Sequence, residues 1–181
     1  IAVPALAFLL AIFYRRNFRW FYFHLASVAI FFVLRLVVLG KHAFSAHVEY
    51  IFNPLIYSSF AERTFTAFKV LTLYVQKILF PYNLTADYSY NQITLVNNPL
   101  DSATTFFGLV LFLAATCFIL VLLKKRKEAL VFSGLVFFVV PYLLISNLIL
   151  PIGTIMGDRL MYFPSLGASI LLALVIERVS K

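Results

Sequence analysis

The chain has 181 residues, 63% of them hydrophobic and 12% charged, with a net charge of +8 and a mean hydropathy of +0.97. Soluble domains are roughly half apolar and a quarter charged, so this balance excludes an ordinary water-soluble fold. The basic residues gather in short clusters at the ends of apolar runs, which points to membrane orientation and away from nucleic acid.

In chain order, the sequence opens at Ile1 inside an apolar stretch, with no methionine or signal-peptide n-region, so the native N-terminus is expected upstream. Spans are predicted at about 1–14, 20–39, 102–123, 129–150 and 164–177. The runs Ala103 to Leu123 and Ala129 to Leu150 approach the ~20 residues that cross a ~30 Å hydrocarbon core. Thr64 to Phe80 is also apolar but carries Lys69, Gln76 and Lys77, and a central lysine costs roughly 2.5–3.5 kcal/mol on insertion. Charge parity decides against a span there. Arg15, Arg16 and Arg19, the run Lys124 to Lys127, and Arg178 with Lys181 should all be cytoplasmic, and a third crossing between the first two clusters would put one of them outside.

At about 100° per residue, Glu62, Arg63, Thr66, Lys69, Thr72, Gln76 and Lys77 fall on one side of this segment, and Ala67, Phe68, Leu71, Tyr74, Val75, Ile78 and Leu79 on the other. The reading is an amphipathic helix at the outer leaflet; a tilted transmembrane helix with Lys69 facing the bundle is the alternative. Residues 40–101 and 151–163 then become two exoplasmic loops on one membrane face, where a shared site can form. The predicted fold class is an all-α polytopic transmembrane helical bundle with an interfacial amphipathic helix in a long exoplasmic loop.

The stretch from Ser146 to Gly167, SNLILPIGTIMGDRLMYFPSLG, breaks the rules of lipid-facing sequence with two prolines, three glycines, Asp158–Arg159 and Tyr162. Irregular backbone at membrane depth is tolerated only where it is buried in protein or lines a cavity. The five fixed donors of Arg159 suit a phosphate, or Arg159 pairs with Asp158 or another loop acid as a structural clamp; the residues alone leave both open. In the first loop, Tyr82, Asp87, Tyr88 and Tyr90 form a polar aromatic surface that suits either a membrane interface or a sugar. Asp87 is the most suggestive loop carboxylate, with a turn cap as the ordinary alternative. Asn83–Leu84–Thr85 is a glycosylation sequon. Arg35 sits near the outer end of its span, where snorkelling to the surface accounts for it better than phosphate contact. Cys117 is the only cysteine, and His24, His42 and His47 form no metal-ligand pattern, so no transition metal is expected. No Walker motif or Ser-His-Asp spacing appears.

FNPL from Phe52, then Arg63, Tyr74, FPYNLTADYS from Phe80 to Ser89 and the Ser146–Gly167 stretch together resemble the membrane region of the transmembrane, tetratricopeptide-repeat-containing O-mannosyltransferases and their bacterial relatives. The resemblance implies a GT-C-like enzyme that takes mannose from a polyprenyl- or dolichyl-phosphate donor and transfers it to protein hydroxyls outside the cytoplasm. The partners implied are membrane lipid, the lipid-linked sugar and a protein acceptor, with no other cofactor, in a bacterial inner membrane or the endoplasmic reticulum. The donor phosphate and sugar would meet Arg159, Asp158, Tyr162, Arg63 and Arg35, with Asp87, Tyr88 and Asn53 as sugar or interface contacts. Asp158–Arg159 departs from the family's usual Glu-Arg pair by one methylene. The resemblance places the acidic catalytic loop before Ile1 and the repeats after Lys181, so residues 1–181 alone are expected to be inactive. Rival readings are an O-antigen ligase or polymerase, a lipid-linked sugar transporter, and a non-catalytic membrane anchor.

Overall fold

The computed structural model describes residues 2–40, 49–89, 91–125, 128–149 and 151–181. His42, His47, Tyr90, Arg126, Lys127 and the last predicted residue of the 129–150 span, Leu150, lie outside the described residues. The described elements are helical: α1 (Ala2–Tyr14), α2 (Arg19–Leu39), α3 (Phe60–Leu79), α4 (Ala103–Lys125), α5 (Ala129–Ile145) and α6 (Tyr162–Val179), with short 3-10 turns at Pro54–Ile56 and Asp158–Met161. Among the described residues, three stretches are long and apolar enough to cross a membrane: Arg19–Leu39, Ala103–Lys125 and Asp158–Val179, the last combining the 3-10 turn with α6. α1 and α5 are apolar but shorter, at 13 and 17 residues.

The chain forms two compact units, Ile1–His47 and Val48–Lys181. In the first, α1 packs on α2, with the Phe8 ring 5.3 Å from Phe21 and 5.9 Å from Phe18. In the second, α3 packs on α4 and α5 on α6.

Several boundaries differ from the sequence reading for identifiable reasons. α3 starts at Phe60, four residues before the predicted Thr64, because Ser59 and Glu62 close a capping box: the Ser59 side chain accepts from the Glu62 N–H, and the Glu62 carboxylate accepts from the Ser59 N–H, each at 3.2 Å. α5 stops at Ile145 because Asn147 takes a left-handed φ of 60° and turns the chain into the loop. α6 begins at Tyr162, ahead of Pro164, since a proline in the first turn removes only an N–H that has no helical partner.

α3 also differs from a helix lying with its polar side in water. Thr66 and Thr72, from the predicted polar side, are as buried as Ala67, Leu71 and Tyr74 from the apolar one. The chain after the helix folds back over this stripe. The Val96 N–H donates to the Thr66 hydroxyl at 3.0 Å, the Thr72 hydroxyl donates to the Thr104 carbonyl at 2.7 Å, and Lys69 donates to the Thr94 carbonyl at 3.0 Å. Partial burial lowers the Lys69 pKa from its ordinary value, and the carbonyl partly offsets that desolvation.

The central cluster of buried residues joins α3 (Val70, Leu71, Tyr74) to α5 (Tyr142) and to the loops through Leu55, Ile93, Ile155 and Met156. The two predicted outer loops therefore share one apolar core with α3. α3 approaches α4 closely at Gly108, where a Cβ would fall inside van der Waals distance of the Phe68 carbonyl. Gly108→Val should push these helices apart and cost about 1–3 kcal/mol, the usual range for overpacking. A lower thermal midpoint of the full-length protein in detergent would register it; an unchanged midpoint would mean that the crossing is looser than described.

Candidate functional site

The loop that follows α5 is held in place by a buried amide pair. Asn53 Nδ2 donates to Asn147 Oδ1 at 2.9 Å and to the Ile152 carbonyl at 2.6 Å, while Asn53 Oδ1 accepts from the Leu55 N–H at 3.1 Å. Asn53 has no exposed surface, so its expected contact with a sugar or the membrane interface gives way to a structural role: its amide is used entirely within the protein. Beside it, the Ile155 N–H donates to the Phe52 carbonyl at 3.3 Å.

A second set of bonds joins the same loop to the segment after α3. The Tyr88 N–H donates to the Met156 carbonyl at 2.9 Å and the Asp158 N–H to the Thr85 carbonyl at 3.1 Å. Asp158 Oδ2 accepts from the Thr85 N–H at 2.7 Å and from the Tyr88 hydroxyl at 3.2 Å. Gly157 lies so close to this segment that a Cβ would stand 2.6 Å from the Ala86 carbonyl oxygen. Its N–H donates to the Tyr74 hydroxyl at 3.0 Å, and that hydroxyl donates back to the Gly157 carbonyl at 3.1 Å. Burial pushes the Tyr74 pKa well above its usual value, keeping the phenol protonated as this exchange requires.

These bonds occupy one oxygen of Asp158 and leave Arg159 to a different acid. Asp158 is committed to Thr85 and Tyr88 and does not clamp its neighbour. The carboxylate nearest Arg159 is Asp87, at 3.8 Å, with side-chain exposures of 63% for the arginine and 35% for the aspartate. So open an ion pair contributes about 0–1 kcal/mol and leaves the guanidinium free to exchange partners. Asp87 is no simple turn cap either, since its other oxygen accepts a hydrogen bond from the Thr154 hydroxyl.

Arg159, Asp158 and Tyr162 line a cavity of about 590 Å³ whose other walls include Tyr74, Lys77 and Leu84. A second cavity, of about 240 Å³, lies between α3, α4, α5 and α6 and is lined by apolar side chains such as Leu71, Leu111, Ala115 and Phe138, with Tyr142 among them. Ile78 and Leu172 line both. A cavity bearing cations thus shares two lining residues with an apolar one.

Two further predicted site residues, Arg63 and Arg35, are carried by the helices α3 and α2. Arg63 sits in the first turn of α3, about 16 Å along the helix from Tyr74 at ~1.5 Å per residue, with its guanidinium carbon 5.6 Å from the centre of the Phe60 ring. Arg35 is on α2, in the other compact unit. Lys77, Thr154 and Asn147 were not singled out from sequence as site residues. Only Lys77 carried a usable signal, a cation in the last helical turn just before Pro81.

The fold and the adjoining cavities define an integral membrane protein of the helical-bundle class. In sequence, the chain is similar to proteins named protein O-mannosyl-transferases. It is 29% identical over 134 residues to Protein O-mannosyl-transferase Tmtc3 of Drosophila melanogaster, covering 71% of this chain and 14% of that protein. It is 34% identical over 106 residues to Protein O-mannosyl-transferase TMTC1 of Homo sapiens (56% and 12%) and 30% identical over 124 residues to that of Mus musculus (66% and 13%). The chain thus spans 12–14% of the length of these curated relatives. No protein-family model and no solved structure matches it.

Proposed function

We propose that this chain supplies the donor-binding part of a glycosyltransferase that moves a sugar, mannose by analogy with its relatives, from a polyprenyl phosphate to a protein hydroxyl on the exoplasmic side of the membrane. The observation that carries the reading is the Arg159-lined cavity sharing two walls with an apolar one. A polyprenyl-phosphate sugar has matching parts: an anionic phosphate at the interface and a hydrocarbon chain that stays out of water. In the transfer, the acceptor oxygen forms a bond to the anomeric carbon as the bond from that carbon to the phosphate oxygen breaks, and negative charge grows on the leaving phosphate. A guanidinium fixed beside that phosphate stabilises the growing charge more than the ground state, which is the condition for acceleration. The acceptor's proton needs a base. Asp87, with one oxygen on the Thr154 hydroxyl and the other beside Arg159, is not assigned that role in this reading.

Ala115 tests the reading, because it lines the apolar cavity and not the one that holds Arg159. Ala115→Phe in the full-length protein should raise KM for a long-chain polyprenyl-phosphate mannose several-fold and leave a short-chain, water-soluble donor unaffected. Equal effects on both donors, or on neither, would show that the chain does not lie in this cavity.

A further inference from the structure

We infer that Lys77 is a second cation for the donor phosphate, acting with Arg159 across the cavity that both line; the inference rests on the donor-site reading above and assigns a residue to it. Lys77 lies in the last turn of α3 and lines the same cavity as Arg159, which comes from the 3-10 turn before α6. Two separate elements therefore bring one cation each to a single chamber.

The ammonium is held in place and not neutralised. It donates to the Tyr82 carbonyl at 2.6 Å and to the Asn83 carbonyl at 2.7 Å. Two successive carbonyls converge on one point here because Asn83 takes a left-handed φ of 48°, which asparagine tolerates better than most residues. An ammonium has three donors, so one remains for a ligand. No carboxylate lies within 4.0 Å of Lys77 among the described residues, whereas Arg159 has Asp87 at 3.8 Å.

Asp158, the acid that lines this cavity, has turned one oxygen to the Thr85 N–H and the Tyr88 hydroxyl. The lining holds two cations, Lys77 and Arg159, and one acid, with Asp87 standing beside Arg159 outside it. A phosphate ester of a membrane alcohol fits this arrangement: its charged oxygens meet Lys77 and Arg159, and its chain continues past Ile78 and Leu172 into the apolar cavity. Lys77 has a second task. By gripping the Tyr82 and Asn83 carbonyls it holds the loop that contributes Pro81 and Leu84 to the cavity wall, so the residue that meets the anion also shapes its chamber.

The test uses the full-length protein in lipid nanodiscs with three probes: farnesyl phosphate, farnesol and inorganic phosphate. Lys77→Gln should weaken farnesyl phosphate binding about tenfold, the scale of one lost charge-assisted contact, with farnesol binding unchanged. Farnesol thereby reports that the apolar cavity is intact. Lys77→Arg should stay within about threefold of the parent, and Lys69→Gln, whose lysine is held by Thr94 and does not line the cavity, should match it. Inorganic phosphate should bind far more weakly than farnesyl phosphate. The inference is overturned if Lys77→Gln binds farnesyl phosphate as tightly as the parent, if it loses farnesol equally, or if inorganic phosphate binds as well as the ester. Lys77-dependent binding of farnesyl phosphate in a protein that transfers no sugar would leave this assignment standing and sink the transferase reading.

Discussion

Arg159→Lys is expected to reduce sugar transfer by the full-length protein by about one to two decades while its membrane abundance stays unchanged. Lysine retains the charge and loses the planar fork, so it cannot reach Asp87 and a phosphate oxygen with parallel donors. A charge-assisted hydrogen bond contributes roughly 1.5–3 kcal/mol, which corresponds to that range of rate if the contact tightens as the phosphate leaves. The structure makes the expectation sharper than the sequence did. Arg159 does not pair with Asp158, and its contact with Asp87 is long and exposed, so the substitution removes little that holds the fold together. Arg35→Lys on α2 serves as the comparison and should have a much smaller effect, the outcome expected of an arginine that snorkels to the surface, where either cation serves. An Arg159→Lys protein that is equally abundant and transfers at the parental rate would remove Arg159 from the donor site.

Asp158→Ala should act in the opposite way, on structure before chemistry. It strips the Thr85 N–H and the Tyr88 hydroxyl of their shared carboxylate, and each bond to a charged acceptor contributes about 1.5–3 kcal/mol. The expected result is a loosened junction between the two loops, seen as rapid proteolytic cleavage between Pro81 and Ser89 in detergent, together with a lower thermal midpoint. Asp158→Asn keeps one acceptor oxygen and should show a smaller change in the same direction. If Asp158→Ala resists protease as the parent does, the junction is held by the backbone bonds and the Tyr74–Gly157 exchange alone.

The helices were legible in the sequence because each is a long apolar run, and their existence depends on little else. α3 was legible as a helix with one charged stripe, but its environment was not. Burying Thr66 and Thr72 depends on Val96 and Thr104 arriving from the following loop, a long-range pairing that no local pattern encodes. The capping box at Ser59 and Glu62 was readable from spacing, and recognising it would have placed the helix start correctly. At the site, residue types pointed to Asp158, Arg159 and Tyr162, which do line one cavity. Which acid faces Arg159 could not be read, because adjacency in sequence favoured Asp158 whereas the loop fold brings Asp87 closer. Asn53 looked like an exposed polar loop residue and is a buried strut; its partner Asn147 lies 94 residues away. The adjoining apolar cavity needed four helices to be assembled, so it too lay beyond pattern reading.

Photo-crosslinking with a polyprenyl phosphate that carries a diazirine on its hydrocarbon chain tests the central claim most directly. The full-length protein in nanodiscs would be labelled, digested and sequenced, with unlabelled polyprenyl-phosphate mannose as competitor. Competed labels are expected on the cavity-lining segments Leu71 to Leu79, Leu111 to Ala115 and Leu135 to Tyr142, reduced by Lys77→Gln and Arg159→Lys. Labels confined to the outer faces of α2 and α4, uncompeted and indifferent to both substitutions, would contradict it.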